Sequence, residues 1–361
     1  MEKQHQIFFE FLRFCIGSES EIPSSLKEAD WKELYRIALK QCLVGILFDG
    51  IQKLSPAEVG MSKDLLLQWM LQCQMLEKAN VRLNDAAIRV SEWFRKKGFR
   101  TCILKGQGNT LLYPNGLHRT PGDIDIWVEG GDKRVISFVR SISPHEKACY
   151  HHIEFPSYKG VEVEVHYRPS FLLCFWHNRK LQKYYERVKE EQFSHRVMLG
   201  EQGEIAIPTV EFNLIFQLTH IYAHLMNEGI GLRQLLDYYY VLISDDLLLI
   251  RDRAQKELKE LGLWKFAGAI MYIMQEVFGM PASRLIVPPN EKYGKFVLNE
   301  VLEAGNFGKH DERNRFGKSK LGHNLQRVYR DIRLVRYFPA EALCEPFFRV
   351  WHFFWRLKHR R

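Results

Sequence analysis

The seven residues VEVEVHY at 161–167 alternate apolar and polar side chains without a break. An extended strand sends alternate residues to opposite faces. Val161, Val163 and Val165 are therefore expected in a core, with Glu162, Glu164 and His166 on the other face. A second short segment, DIDIWV at 123–128, follows a Pro-Gly turn and repeats the pattern with two acids. Asp123 and Asp125 then project the same way, about 7 Å apart, with Ile124 and Ile126 turned opposite. Like charges that close repel unless something positive lies between them.

Helical periodicity dominates on both sides of this strand-bearing stretch. EADWKELYRIALKQCLVGILFDGIQKL repeats apolar residues every three or four positions, and Ser62 to Lys97 continues the pattern. IPSS at 22–25 and SPAEVGMS at 55–62 punctuate it. From residue 98 the texture changes. GFRTCILKG reads as a strand over 100–104 ending at Gly106, and a helix is expected through Leu112 before the turn YPNG. GDKRVISFVRSI reads as a helix, HHIEFPSY and VEVEVHY as a hairpin about Lys159-Gly160, and RVMLGEQGEIAIPT as a peripheral hairpin. From Val210 onward the pattern is helical again. The expected organisation is a helical region over 1–97, an α/β core over 98–205 and a helical domain over 206–361. That is an α+β fold, a small mixed sheet with helices on one side.

The chain has 361 residues, 46% hydrophobic and 26% charged, ordinary values for a folded soluble protein. No apolar run reaches the roughly 18–20 residues that cross a bilayer. The opening stretch MEKQHQIFFEFLRFC breaks its apolar residues with charges and lacks the apolar run and small-residue cleavage site expected of a signal peptide. Seven scattered cysteines without a CxxC pair read as reduced core thiols of a cytoplasmic protein and offer little support for zinc. The net charge of +9 is uneven: residues 305–361 hold 14 Lys/Arg against 5 Asp/Glu, which is +9, so the rest sums to zero. Such a segment suits a polyanion or an anionic membrane surface, the alternative being a solvated helix face. The terminal FFRVWHFFWRLKHRR is expected to pack back on the helical domain, a membrane-surface helix being the other reading.

If the VEVEVHY strand lies beside the DID strand, Glu164 joins Asp123 and Asp125 on one face. Three converging carboxylates are tolerable around a cation, and an all-oxygen set suits Mg²⁺ or Mn²⁺. Two such ions activate an attacking oxygen and bind the phosphates of a leaving group. Upstream, ILKGQGN follows a strand and opens a helix, so its glycines let backbone approach an anion. Lys105 adds a point charge there, and Arg119, four residues before Asp123, adds another. His220 and His224 share a helix face, as do Arg233 and Asp237. His224, Arg233 and Asp237 either close over a nucleotide or form a polar network that pins helices together. His166 either orients an acceptor hydroxyl or is a hydrogen-bonded strand histidine. His151 and His152 are expected at the surface. The loop 305–320, with Lys309, Arg313, Arg315, Lys318 and Lys320, reads as a connector, with triphosphate binding as the alternative.

These motifs resemble the DNA polymerase β-like nucleotidyltransferase superfamily. More narrowly they resemble a group of largely uncharacterised bacterial nucleotidyltransferases with an LKG…YP…R…DID…HW pattern. Here LKG stands at 104–106, YP at 113–114, Arg119 follows, then DIDIWV at 123–128 and VEVHYRP at 163–169. The R-x-x-x-D-x-D spacing is similar to that of aminoglycoside nucleotidyltransferases. The tight match covers 99–170, and a looser one reaches HIYAHL and GLRQLLDYYYVL. The resemblance implies a polymerase β-like core in which Asp123, Asp125 and Glu164 are catalytic and bind metal, with Asp125 and Glu164 nearest the incoming hydroxyl. It implies that Gly106 and its neighbours Lys105 and Gln107 hold phosphates. It implies transfer of a nucleoside monophosphate from an NTP, ATP among them, to a hydroxyl acceptor, a small molecule or sugar being favoured, with release of pyrophosphate. A non-catalytic nucleotide-binding protein and a phosphotransferase are the rival readings. Two departures stand out: Lys-Gly replaces the usual Gly-Ser after the first strand, and the third acid is Glu where relatives often have Asp. Glu162 competes with Glu164 on the same face. No signature of sequence-specific nucleic-acid recognition is present.

Overall fold

The two alternating segments form strands β2 (Ile124–Val128) and β4 (Val161–His166), and the computed structural model pairs them in parallel. It describes residues 3–55, 60–201, 203–313 and 320–359. Strand β1 (Thr101–Ile103) lies antiparallel on one side of β2, and β3 (His152–Tyr158) lies antiparallel beyond β4. The sheet is therefore mixed, in the order β1-β2-β4-β3, and a separate hairpin joins β5 (Arg196–Leu199) to β6 (Gly203–Ala206).

Helices surround this sheet. Before it come α1 (Lys3–Ile16), α2 (Trp31–Gln41), α3 (Val44–Ile51) and α4 (Lys63–Lys96). Within it are α5 (Gln107–Thr110) and α6 (Gly131–Ile142), and α7 (Phe175–Ser194) links β4 to the separate hairpin. After it follow α8 (Val210–Asn227), α9 (Leu232–Leu242), α10 (Leu247–Glu260), α11 (Trp264–Phe278), α12 (Glu291–Ala304), α13 (Lys320–Val335) and α14 (Pro339–Lys358). The fold is α+β with flanking helices, and helix α4 ties its parts together. It starts on the Ser62 side chain, which accepts from the Leu65 N–H. Its first half puts Leu65, Trp69 and Cys73 into the large helical core; its second half puts Leu83, Ala87 and Phe94 under the sheet. The large core is shared by the first and last helices: Phe8 and Leu47 lie in one apolar cluster with Leu235 and Ile270.

Three expectations are corrected. Helices cover both sheet faces, not one. Ile124, Ile126, Val163 and Val165 pack on α4 and α6. On the opposite face Trp127 packs against Phe193 of α7 and Phe212 of α8, ring centroids 4.6 and 5.8 Å away. That face is apolar at one end and acidic at the other, so only its acidic end stays open. Second, α5 stops at Thr110 rather than running to Leu112. Tyr113 precedes a proline, which disfavours helical backbone there. The chain then folds back so tightly that a Cβ on Gly116 would lie 2.5 Å from the Thr110 carbonyl oxygen. Third, α14 packs back through one side only: Phe348 is buried while Phe347, Val350 and Phe354 are exposed.

All seven cysteines are free, four of them buried. In the 305–320 loop, Arg313 is held by Glu300 and Asp311, each at 2.8 Å. Arg315, Lys318, the side chain of Lys320 and residues 56–59 lie outside the described residues.

Candidate active site

The Lys105-Gly106 turn builds one wall of the site. Lys105 has φ 32°, and Gly106 has φ 49° with ψ −116°, a left-handed backbone that glycine adopts most readily. A Cβ on Gly106 would have room, its nearest neighbour being the Asp123 carbonyl oxygen at 3.6 Å. The backbone angle, not crowding, thus calls for glycine. The turn carries Lys105 over the acids: its Nζ stands 3.1 Å from Asp125 Oδ2, an ion pair rather than an aligned hydrogen bond. The same Nζ lies 3.0 Å from His220 Nε2.

Parallel pairing sets Asp125 directly beside Glu164, and Trp127 beside His166. Asp123, just before β2, completes a group whose carboxylate oxygens lie within 4.8 Å of one another. Glu162 is exposed on the same face and lies outside this group. Asp125 is 2% exposed. His166 Nε2 donates to Asp125 Oδ1 at 2.9 Å and lies 3.3 Å from Glu164 Oε2, while Nδ1 donates to the Arg168 carbonyl. Two donating ring nitrogens mean an imidazolium. Burial pushes the His166 pKa down, but its bonds to Asp125 and Glu164 outweigh this and raise it to about 9. Burial likewise pushes Asp125 and Glu164 up; Lys105 and His166 hold Asp125 below its usual value, and His166 and His152 hold Glu164 below its own. Three carboxylates thus face one ammonium and one imidazolium, leaving one negative charge in excess.

His151 and His152, expected at the surface, belong to the site's edge. His152 Nδ1 is 3.2 Å from Glu164 Oε2, and its ring centroid is 5.2 Å from that of His166. The cause is register. From the turn pair Tyr158–Val161, an unbroken hairpin would set Ile153 opposite His166; a one-residue irregularity between Phe155 and Tyr158 puts His152 there instead. Burial, then the neighbouring His166, lowers the His152 pKa to about 4, so its ring is neutral. The same register sets Glu154 opposite Glu164.

The remaining predicted residues divide. Arg119 is bidentate on Asp237 of α9, Nε to Oδ1 and Nη2 to Oδ2, both 2.7 Å, and Tyr113 Oη donates to Oδ1 at 2.6 Å. Arg233 Nη1 donates to the carbonyls of Thr120 and Pro121, both at 3.1 Å. This buried network fastens the loop before Asp123 to α9. Gln107 is 1% exposed and donates to Asn84 of α4, facing away from the acids. His224 Nε2 lies 3.0 Å from His220 Nε2, continuing the chain of polar groups from Lys105. Burial and the Lys105 charge keep His220 well below its ordinary pKa, a neutral ring that accepts from Lys105.

The acids open on a groove of about 1800 Å³, bounded on one side by Lys105, Asp123, Glu164 and His224 and on the other by α13 and α14. The donor set fits a hard divalent cation: all three carboxylates supply oxygen, Asp125 Oδ2 lacks a hydrogen-bond donor, and the group is net acidic. His152, Glu164 and His166 form a second, nitrogen-bearing set around the same glutamate.

A family model described as "Uncharacterised nucleotidyltransferase" matches residues 27–279. No curated protein matches the chain. Among solved structures, an antigenic nucleotidyltransferase-like protein from Paracoccidioides brasiliensis is 14% identical, with a TM-score of 0.28; the match covers 50% of this chain and 92% of that one.

Proposed function

We propose, for a chain that belongs to the uncharacterised nucleotidyltransferase family, metal-dependent transfer of a nucleoside monophosphate from an NTP to an acceptor hydroxyl, with release of pyrophosphate. The observation that carries this is the meeting of Asp123, just before β2, with Asp125 and Glu164 on adjacent parallel strands at the floor of an open groove.

Asp123, Asp125 and Glu164 would hold Mg²⁺ or Mn²⁺, which supplies Lewis-acid stabilisation of charge on the phosphates. The chain's own groups do the rest. Lys105 now neutralises Asp125; its flexible stem lets the ammonium turn to a phosphate once a cation takes over that task. His166 keeps Asp125 oriented through one ring nitrogen and is itself fixed by Arg168 through the other. Glu164, whose side chain is 32% exposed against 1% for Asp125, is assigned to take the hydroxyl proton. The Arg119–Asp237 pair holds the loop that ends at Asp123, so the acids stay aligned with the groove.

One observation favours a second reading. Lys105 and His166 already compensate most of the acidic charge, as suits a nucleotide-binding protein without turnover. Incubation with Mg²⁺ and each of the four labelled NTPs decides. Pyrophosphate release that disappears in Asp123→Ala supports transfer. NTP binding by calorimetry without release supports the second reading, and NDP in place of pyrophosphate marks a phosphotransferase.

A further inference from the structure

Helix α14 has two apolar sides. The inner one packs: Phe348 meets Tyr150 and Phe171 with ring centroids 5.7 and 5.2 Å away. On the outer one Leu343, Phe347, Val350, Phe354 and Leu357 recur at steps of four and three residues, each 42–70% exposed. That spacing makes one continuous row along a helix. Helix α13 adds Leu325, Val328 and Ile332, 44–66% exposed at steps of three and four. Single exposed apolar residues are normal, whereas contiguous rows mark an interaction surface.

Charge selects the occupant. The segment 305–361 carries the chain's entire net charge of +9. A symmetric pairing with a second copy would bring two such segments together, which Coulomb repulsion opposes. An anionic lipid surface answers both features, taking an apolar row between its acyl chains and Arg/Lys among its headgroups. No described helix is long and apolar enough to cross a membrane, so the contact is in-plane.

The same helices wall the groove. Val328, Val350, Phe353 and Phe354 line it together with Arg327 and Arg356, opposite Asp123 and Glu164. Its volume of about 1800 Å³ exceeds the roughly 300–1,000 Å³ of a site for one small ligand. Room therefore remains beside a nucleotide, along a wall that is apolar and cationic.

We infer that α13 and α14 rest on an anionic lipid surface, and that the acceptor is a lipid of that surface whose headgroup hydroxyl reaches the acids through the groove. This rests on the nucleotidyl-transfer reading above. In the transfer, the headgroup oxygen bonds to the α-phosphorus as the bond from that phosphorus to the α–β bridging oxygen breaks. Pyrophosphate leaves with the electron pair, and the hydroxyl proton passes to Glu164 and on to water.

Flotation of the full chain with vesicles tests the docking without nucleotide, so its result does not depend on catalysis. Vesicles of phosphatidylcholine with about one third phosphatidylglycerol should carry the protein up, and pure phosphatidylcholine should not. Phe347→Glu with Phe354→Glu, both exposed and so compatible with folding, should weaken binding at least tenfold at unchanged Tm. Asp125→Asn should float like the parent. With labelled NTP and Mg²⁺, the parent should place label on phosphatidylglycerol and Asp125→Asn should not. Absence of flotation, equal flotation on both vesicles, or a concentration-dependent dimer abolished by the paired Glu substitutions overturns the docking. Flotation with pyrophosphate release but label only in water-soluble product overturns the lipid acceptor. Flotation with no release from any NTP instead sinks the transfer reading and leaves the lipid docking standing.

Discussion

Two buried charge clusters stand four residues apart in the chain. Arg119 and Asp237 meet as a bidentate pair capped by Tyr113, and line with Asp123 and Asp125 only a small pocket beside the wide groove. Asp123, Asp125 and Glu164 meet as three acids against Lys105 and His166, at the floor of that groove. In the first the single acid is fully satisfied, by Arg119 and Tyr113 with Arg233 nearby, so its charges serve position. The second is unbalanced and faces space, so it retains attraction for a cation. Burial of charge alone separates neither role; stoichiometry and access do.

The comparison breaks most visibly through activity. Asp125→Asn is expected to cut nucleotidyl transfer by about 10³-fold, as loss of several kcal/mol of charge stabilisation implies. Its Tm should shift less than that of an Asp237 variant, because Lys105 keeps Asp123 and Glu164 as neighbours. Radiolabel transfer and calorimetry on the same preparation read both.

Asp237→Asn should do the reverse. Removing one partner of a buried pair costs about 3–5 kcal/mol, and the loss should appear in denaturant unfolding, with residual activity following the folded fraction. Should Asp237→Asn abolish turnover while leaving stability intact, the pair would belong to the chemistry instead.

Metal binding gives the next effect. Mn²⁺ at about 100 times its Kd should stabilise the parent by about 2.7 kcal/mol and leave Asp123→Ala unmoved in the same thermal scan. Equal stabilisation of both would place the ion elsewhere.

The smallest effect concerns a third cluster, half-way in character between the two. His118 bridges Asp49 of α3 at 2.6 Å and Glu77 of α4 at 2.9 Å. The Asp49 hydrogen bond, against burial, raises its pKa above the ordinary 6.5. A raised histidine contributes its full stability below 6.5 and loses it as pH rises through the folded value. Unfolding free energy should therefore fall across that window, and Asp49→Asn should flatten the slope at a cost of about 1.5–3 kcal/mol below pH 6.5. Asp237, held low by Arg119 against burial, works in the opposite direction, its contribution fading only as pH falls below 3.8.

Much of the acid site was legible because a strand's two-residue period is local: DIDIWV and VEVEVHY declare which side chains share a face before any pairing is known. The LKG turn was legible too, glycine marking the left-handed position. The partner of Arg119 was not, since Asp237 lies 118 residues on and helix period places it on a face without saying what that face meets.

By itself, then, the sequence determined the strand faces, the helical flanks, the concentration of positive charge after residue 305 and the family to which the chain belongs. Tertiary structure alone decided that β2 and β4 lie side by side, that a one-residue slip in the β3–β4 hairpin brings His152 to Glu164, and that α14 buries one apolar side while exposing another. The physical reason is range. Backbone periodicity and charge are properties of neighbouring residues, whereas register and burial depend on which distant surfaces exclude water together.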